Sequence, residues 1–408
     1  MRQDVFLKVR AIPAACCLVI ALVFLAAPAM AATTQVNVTK YCDNNYSAVE
    51  EAKTLTLAQL QGLSAVYSNG PVCMQGGIFN NTTDVWMYTS GSMACFGEQN
   101  GTYVRNITDN VSGMNPGDEL RVVASDGYKT YFNYTNVYAP NSSQGEMILS
   151  WQNETHTVPD YADGIRLFFY TPSDLNFTNA DMRDSMAPWY WRIVEDKYYP
   201  GEYYPSAKGL SVKTVSELKI YPPHRYDFNT TGDTNKSAYA GGVTGLPSSA
   251  TDPSVQVTAT ADLAKIADDD GISYTINSVG NGEYAAQRFV FTLKESAANV
   301  ERLNVTWKGS GTHDNISATQ GADLYIWNGG SSSYEKLADT SSNSTTTLAG
   351  GNSSVVTNYV VDGNVTVLVM QKSAQQPVGE DGKYYSHLAT DYVKLVVTHH
   401  NTNSKYTL

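Results

Sequence analysis

From residue 254 to residue 398 the chain carries one short strand-forming run after another, and this recurrence restricts the fold more than any other feature. The runs are Val255 to Ala261, Ile272 to Ser278, Arg288 to Lys294, Arg302 to Lys308, Asp323 to Trp327, Val355 to Val361, Val365 to Gln371 and Tyr392 to Thr398. Gly, Asn and Asp punctuate the gaps. Leu303, Val305 and Trp307 fall on one side of their run and Arg302, Asn304, Thr306 and Lys308 on the other. That alternation marks a strand with one buried face. Repeated without a helical period, it predicts a β-sandwich or jelly roll.

Residues 32–225 read as a mixed α+β domain, so the fold class is mainly β with two domains. Leu120 to Ala124 and Lys129 to Tyr134 flank Asp126-Gly127, a hairpin signal. Met147 to Trp151, Ile165 to Tyr170 and Ser211 to Ile220 are further strands, and Ser47 to Lys53 suits a helix. Residues 226–253, rich in Gly, Ser, Thr, Asn and Asp, read as a linker. Residues 399–408 read as a polar tail.

The N-terminus predicts export. Arg2, Lys8 and Arg10 precede an apolar run from Ala14 to Ala27, and Ala29-Met30-Ala31 forms a cleavage site, making 1–31 a signal peptide of the general secretory route. No second long apolar stretch follows, so no membrane span is expected after cleavage. A net charge of −12 argues against nucleic acid as a partner. Eighteen N-x-S/T sequons predict an extracellular or cell-surface glycoprotein: Asn37, Asn45, Asn80, Asn81, Asn100, Asn106, Asn110, Asn133, Asn141, Asn153, Asn176, Asn229, Asn235, Asn304, Asn315, Asn343, Asn352 and Asn364.

Cys42, Cys73 and Cys95 remain after the signal. In an oxidising compartment three thiols suggest one internal bridge and one left over. Cys73 and Cys95 close the shortest loop, which favours them as the internal pair, and leaves Cys42 for a bridge between chains. Three buried thiols are the alternative. Asp268-Asp269-Asp270-Gly271 is an oxygen-rich turn of the kind that takes calcium, or a solvated turn whose carboxylates bond local amides. Trp189-Tyr190-Trp191, Tyr198-Tyr199 and Tyr203-Tyr204 lie in one Pro-bounded segment suited to a subunit or sugar contact, or to a loop folded on its own domain. No HExxH, GxSxG or Walker motif accompanies the histidines, so no catalytic residue is assigned and the reading is non-enzymatic.

In the first domain, Leu55 to Leu60, Val72 to Gly77, Pro116-Gly117-Asp118, Ser125 to Tyr128, Met147 to Trp151, Asp163 to Leu167 and Gly209 to Lys213 occur in an order that resembles the sulfite-oxidase-type molybdopterin domain. The resemblance implies Cys73 as a metal thiolate, yet the His and Arg groups that grip the pterin phosphate are not evident before Ile165. It therefore implies that fold without its cofactor. Tyr284 to Phe291, Leu303 to Gly309, Ala322 to Asn328, Asn364 to Val369 and Thr390 to Lys394 resemble a β-sandwich module of secreted proteins of methanogenic archaea. The whole resembles an archaeal cell-envelope protein of the surface-layer or sheath type. That implies a secreted, glycosylated structural protein whose copies self-assemble, with no cofactor beyond calcium. The alternatives are an extracellular module whose C-terminal sandwich binds polysaccharide, such as an envelope glycan, or another envelope protein, and a molybdenum oxidoreductase.

Overall fold

The computed structural model describes residues 32–79, 84–172, 174–229, 235–378 and 382–408, so the signal segment 1–31 lies outside the described residues. The protein is mainly β. In the first domain a five-stranded sheet runs in the order Asn45–Thr56, Gln35–Cys42, Val215–Tyr221, Glu119–Ala124, Lys129–Asn133. A four-stranded sheet runs Arg166–Tyr170, Glu146–Asn153, Gln99–Tyr103, Ala65–Tyr67. One apolar core joins them, with Val36, Leu120 and Leu218 from the first sheet and Ile148, Leu167 and Phe169 from the second. The Asp126-Gly127 turn connects Glu119–Ala124 to Lys129–Asn133, with Gly127 at φ +86° where a side chain is strained. Ser47 to Lys53 is not helical: it lies in the strand Asn45–Thr56, paired along Gln35–Cys42. Backbone pairing in the sheet overrides the helix propensity of Ala48 to Lys53 there.

The second domain is a sandwich of two five-stranded sheets. One contains Tyr274–Asn277, His224–Asp227, Ser386–His399, Val300–His313 and Thr346–Asn352. The other runs Lys236–Val243, Tyr284–Thr292, Asn364–Gln371, Ala322–Asn328, Ser333–Thr340. Leu303, Val305 and Trp307 face Phe289, Phe291, Ile326 and Val367 across the core, as aligned sheets pack. The outer face of the second sheet is also apolar, with Tyr325, Trp327, Tyr334 and Leu368, and Ala250 packs against it.

Three boundaries differ from the sequence reading. Residues 226–253 are not a linker: His224–Asp227 pairs with Ser386–His399, and Lys236–Val243 pairs with Tyr284–Thr292. Gly242 there serves close approach, since a Cβ on it would lie 2.3 Å from the Glu283 carboxylate. The sandwich thus begins near His224 rather than at 254. Val255 to Ala261 makes one bridge at Gln256 and then enters the helix Thr260–Ala264. Val355 to Val361 is a helical turn, Val356–Tyr359, entered from Val355 at φ +48°.

The tail from residue 400 is not free either. It crosses to the first domain, where His400 stacks on Trp189 at 4.1 Å between centroids. Asn401 donates from its backbone N (2.7 Å) and its side chain to Glu119. Asn403 bonds Tyr131 and Tyr190. Beneath it, His224 Nδ1 and the Tyr226 hydroxyl both meet Glu295 at 2.6 Å, and Tyr46 meets His399 at 2.9 Å. The domains are therefore joined through a buried polar junction.

That junction sets an acid limit. Burial pushes the Glu295 carboxyl up, but the bonds from His224 and Tyr226 outweigh it and hold the group down at about 2. Its unfolded value is near 4.5, so its stabilisation is complete above that pH and is lost as pH falls towards 2. Burial also lowers His399, which adds a loss in the same direction as pH falls below its ordinary 6.5. Burial raises Asp118, to about 6, and Glu119, and these two act oppositely, losing stability as pH rises through their folded values. Below pH 4.5 the Glu295 contribution dominates, on the order of 3 kcal/mol by linkage. Unfolding titrations should show stability falling between pH 4.5 and 2, and Glu295→Gln should flatten that limb; an unchanged slope in the variant contradicts this assignment.

Candidate functional site

The four-stranded sheet ends in a cleft of about 470 Å³ walled by the turn Tyr67 to Pro71 on one side and Tyr170 to Leu175 on the other, with residue 173 outside the described residues. A second hollow of about 430 Å³, reaching Ser142 and Asp181, shares Thr171, Pro172 and Asp174 with it as a common wall. Tyr67 is 62% exposed on the lip. Tyr103 lies deeper, and the Arg105 guanidinium covers its ring at 4.6 Å. Arg105 Nη1 donates to both oxygens of Glu146 at 2.6 and 2.8 Å.

Local bonding fixes these groups. The Ser68 hydroxyl donates to Gly70 O and accepts from Gln99 N, which holds the turn that carries Tyr67. The Tyr170 hydroxyl donates to Gln99 O at 2.8 Å, and burial raises its pKa, so it remains a neutral donor. Asp174 accepts from Asn176 N and Nδ2 at 3.0 and 2.9 Å, an Asx turn that sets the opposite wall. The cleft thus offers an exposed aromatic face and two carboxylates, one of them held by Arg105, within the volume range of small-ligand sites.

None of these residues stands out in the sequence. Tyr67, Tyr103, Glu146 and Asp174 come from four segments, and only the sheet order brings them together. The residues that the sequence did single out lie elsewhere. Cys73 and Cys95 form a disulfide across the short strands Cys73–Gln75 and Met93–Cys95, while Cys42 is half-buried and unpaired. A bonded sulfur is not a thiolate, so Cys73 does not fit the metal-ligand role that the molybdopterin resemblance implies. Asp268, Asp269 and Asp270 point to separate partners, Asn229, Lys308 and the backbone N of Ile272. Among the described residues no three His, Cys, Asp or Glu side chains are grouped to hold a metal ion.

The aromatic segment is mostly turned inward. Tyr190 is buried with its hydroxyl on Glu119, Trp191 packs edge-on to Trp86, and Tyr204 packs on Phe79. Trp189 and Tyr203 stack on His400 and Tyr406 of the C-terminal segment. Only Tyr198 and Tyr199, at 70% and 51%, are exposed, so the seven do not form one outward platform; Trp189, Tyr190 and Tyr203 receive the chain's own tail. Asn80 and Asn81 lie outside the described residues, and each of the other sixteen sequon asparagines is exposed or half-buried. The four buried asparagines, Asn136, Asn179, Asn328 and Asn403, all lack a sequon.

Residues 233–399 match a protein family described as "Uncharacterized protein, C-terminal domain". No curated protein matches the chain. Among solved structures, a xylan-binding module, CBM15, is 14% identical with a TM-score of 0.25, covering 43% of this chain and 98% of its own. Xylanase10C from Cellvibrio japonicus, solved with xylopentaose, is 13% identical with a TM-score of 0.24, over 43% of this chain and 28% of its own. The CBM22-1 xylan-binding domain of Paenibacillus barcinonensis Xyn10C is 7% identical with a TM-score of 0.20, over 43% of this chain and 94% of its own. Superposition at this level carries no ligand across. Among the described residues no helix is long and apolar enough to cross a membrane.

Proposed function

We propose that this chain is an extracellular, glycosylated polysaccharide-binding protein and that the groove between Tyr67 and Asp174 takes the glycan. The observation that carries this reading is the exposed Tyr67 ring in one cleft with Glu146 and Asp174, with a second hollow sharing its wall. Sugar rings lay their C–H faces on aromatic rings, while their hydroxyls donate to carboxylates. The absence of buried sequon asparagines among the described residues is consistent with glycosylation at the surface.

Isothermal titration with soluble polysaccharides tests the reading. Tyr67→Ala should weaken binding about ten-fold, roughly 1.4 kcal/mol, within the range of one lost aromatic contact. Tyr67 is exposed, so its loss should leave the fold intact; unchanged affinity in a folded variant contradicts the groove as the site.

A second reading, self-assembly into an envelope layer, has one structural observation in its favour. Asn45–Thr56 is a twelve-residue edge strand in which Leu55 alone is buried, and a long open edge can pair with another copy. Negative-stain microscopy of purified protein separates the readings: ordered sheets or tubes support assembly, and dispersed particles that bind glycan support the first.

A further inference from the structure

The junction between the domains encloses a pocket of about 300 Å³ that the groove reading does not use. Its ionisable groups are unequally satisfied. Glu119 accepts from Asn401 twice and from the Tyr190 hydroxyl. Glu295 accepts from His224 and Tyr226. Glu301 lies 3.3 Å from His400 Nδ1. Every carboxylate at the junction therefore has a donor or a cation beside it.

The cations on the pocket wall do not fare so well. Arg121, from the first domain, has no hydrogen-bond acceptor among the described residues, and its Nε is buried without a partner. Its guanidinium lies over the Tyr221 ring at 4.5 Å and within 5.2 Å of the Tyr131 ring. Stacked rings occupy the faces of a guanidinium and leave its edge, where its N–H groups point, for an acceptor. Lys294, from the second domain, lines the same pocket with no carboxylate in ion-pair range among the described residues. His399 and His400 lie beside them, and the buried Nδ1 of His400 makes no hydrogen bond despite its proximity to Glu301. Arg121 and Lys294 thus bring two cations without a close ion pair from different domains to one small cavity, where Glu295 also lines the wall and Arg121 acts on Glu119 at longer range.

We propose that this pocket binds a small oxyanion, held edge-on by Arg121 and closed over by Lys294, so that ligand binding fastens the two domains together. In-plane N–H donors suit a carboxylate or phosphate oxygen pair. The same chemistry is carried by a uronic-acid carboxylate and by inorganic phosphate. The site draws on both domains, so occupancy stabilises their docked arrangement by mass action.

The test titrates the full mature chain at neutral pH and low salt with sodium glucuronate, with inorganic phosphate and with neutral glucose, following heat and thermal unfolding. Saturable one-to-one binding of glucuronate alone supports the site with an acidic sugar as its ligand. Binding of phosphate, alone or as well, supports it with a free oxyanion as its ligand. Arg121→Gln should weaken binding at least ten-fold, and Lys294→Glu should abolish it. Lys294 is exposed, so that variant keeps the test open if Arg121→Gln does not fold. Tyr67→Ala should leave this binding unchanged, which separates it from the groove. Saturation by neither anion, or equal affinity in folded Lys294→Glu, overturns the proposal.

Discussion

Asn403→Ala is expected to lower stability by about 2–4 kcal/mol, a large effect for one residue in a C-terminal segment. Asn403 is 97% buried. Its Oδ1 accepts from Tyr131 N at 2.6 Å and its Nδ2 donates to Tyr131 O at 3.0 Å. That is the pairing a neighbouring strand would supply, and Tyr131 sits in Lys129–Asn133, an edge strand of the five-stranded sheet. Nδ2 also donates to Tyr190 O at 2.7 Å. Alanine leaves an N–H and two carbonyls without partners, each costing about 1–3 kcal/mol if it stays dry, less where water enters. Urea unfolding should show the loss, and proteolysis should find new cleavage near Pro222-Pro223, where the domains meet. A change under about 0.5 kcal/mol, a size ordinary for surface substitutions, would mean that the tail merely rests on the first domain.

Trp307→Ala should cost about 3–5 kcal/mol, the range for deleting a large buried aromatic. The Trp307 ring is fully buried in the sandwich core, and Nε1 donates to Thr390 Oγ1 at 2.7 Å. Thr390 in turn donates to Gln287, so the ring anchors a polar chain linking the two sheets. It also lies over Gly309, where a Cβ would come within 2.4 Å of the ring. Trp307→Phe keeps most of the volume and loses the bond, so it should cost markedly less than alanine. Equal losses for the two variants would place the energy in the hydrogen bond rather than in packing.

The sandwich was legible where burial alternates. Leu303, Val305 and Trp307 alternate with polar residues and occupy the core as that pattern requires. Legibility failed where strands carry little apolar signal. Lys236–Val243 reads as a linker because Gly241 and Gly242 look flexible, whereas both sit in a ladder against Ala286 and Ala285. Ser333–Thr340 is an edge strand whose Glu335 and Lys336 bond Asn328 and Asp323 instead of filling a core. The tail looked free because Asn401 and Asn403 are polar, yet their amides complete backbone and carboxylate bonding that a local reading does not anticipate. The groove was illegible because Tyr67, Tyr103, Glu146 and Asp174 have no shared spacing.

The most direct test of the central claim is a polysaccharide screen of the folded full chain, with Tyr67→Ala run beside it. The account predicts that at least one polysaccharide is retained by the wild type and that retention drops about ten-fold in the variant, as loss of one stacking contact implies. A wild type that retains no polysaccharide while forming ordered sheets would contradict it and leave assembly as the function.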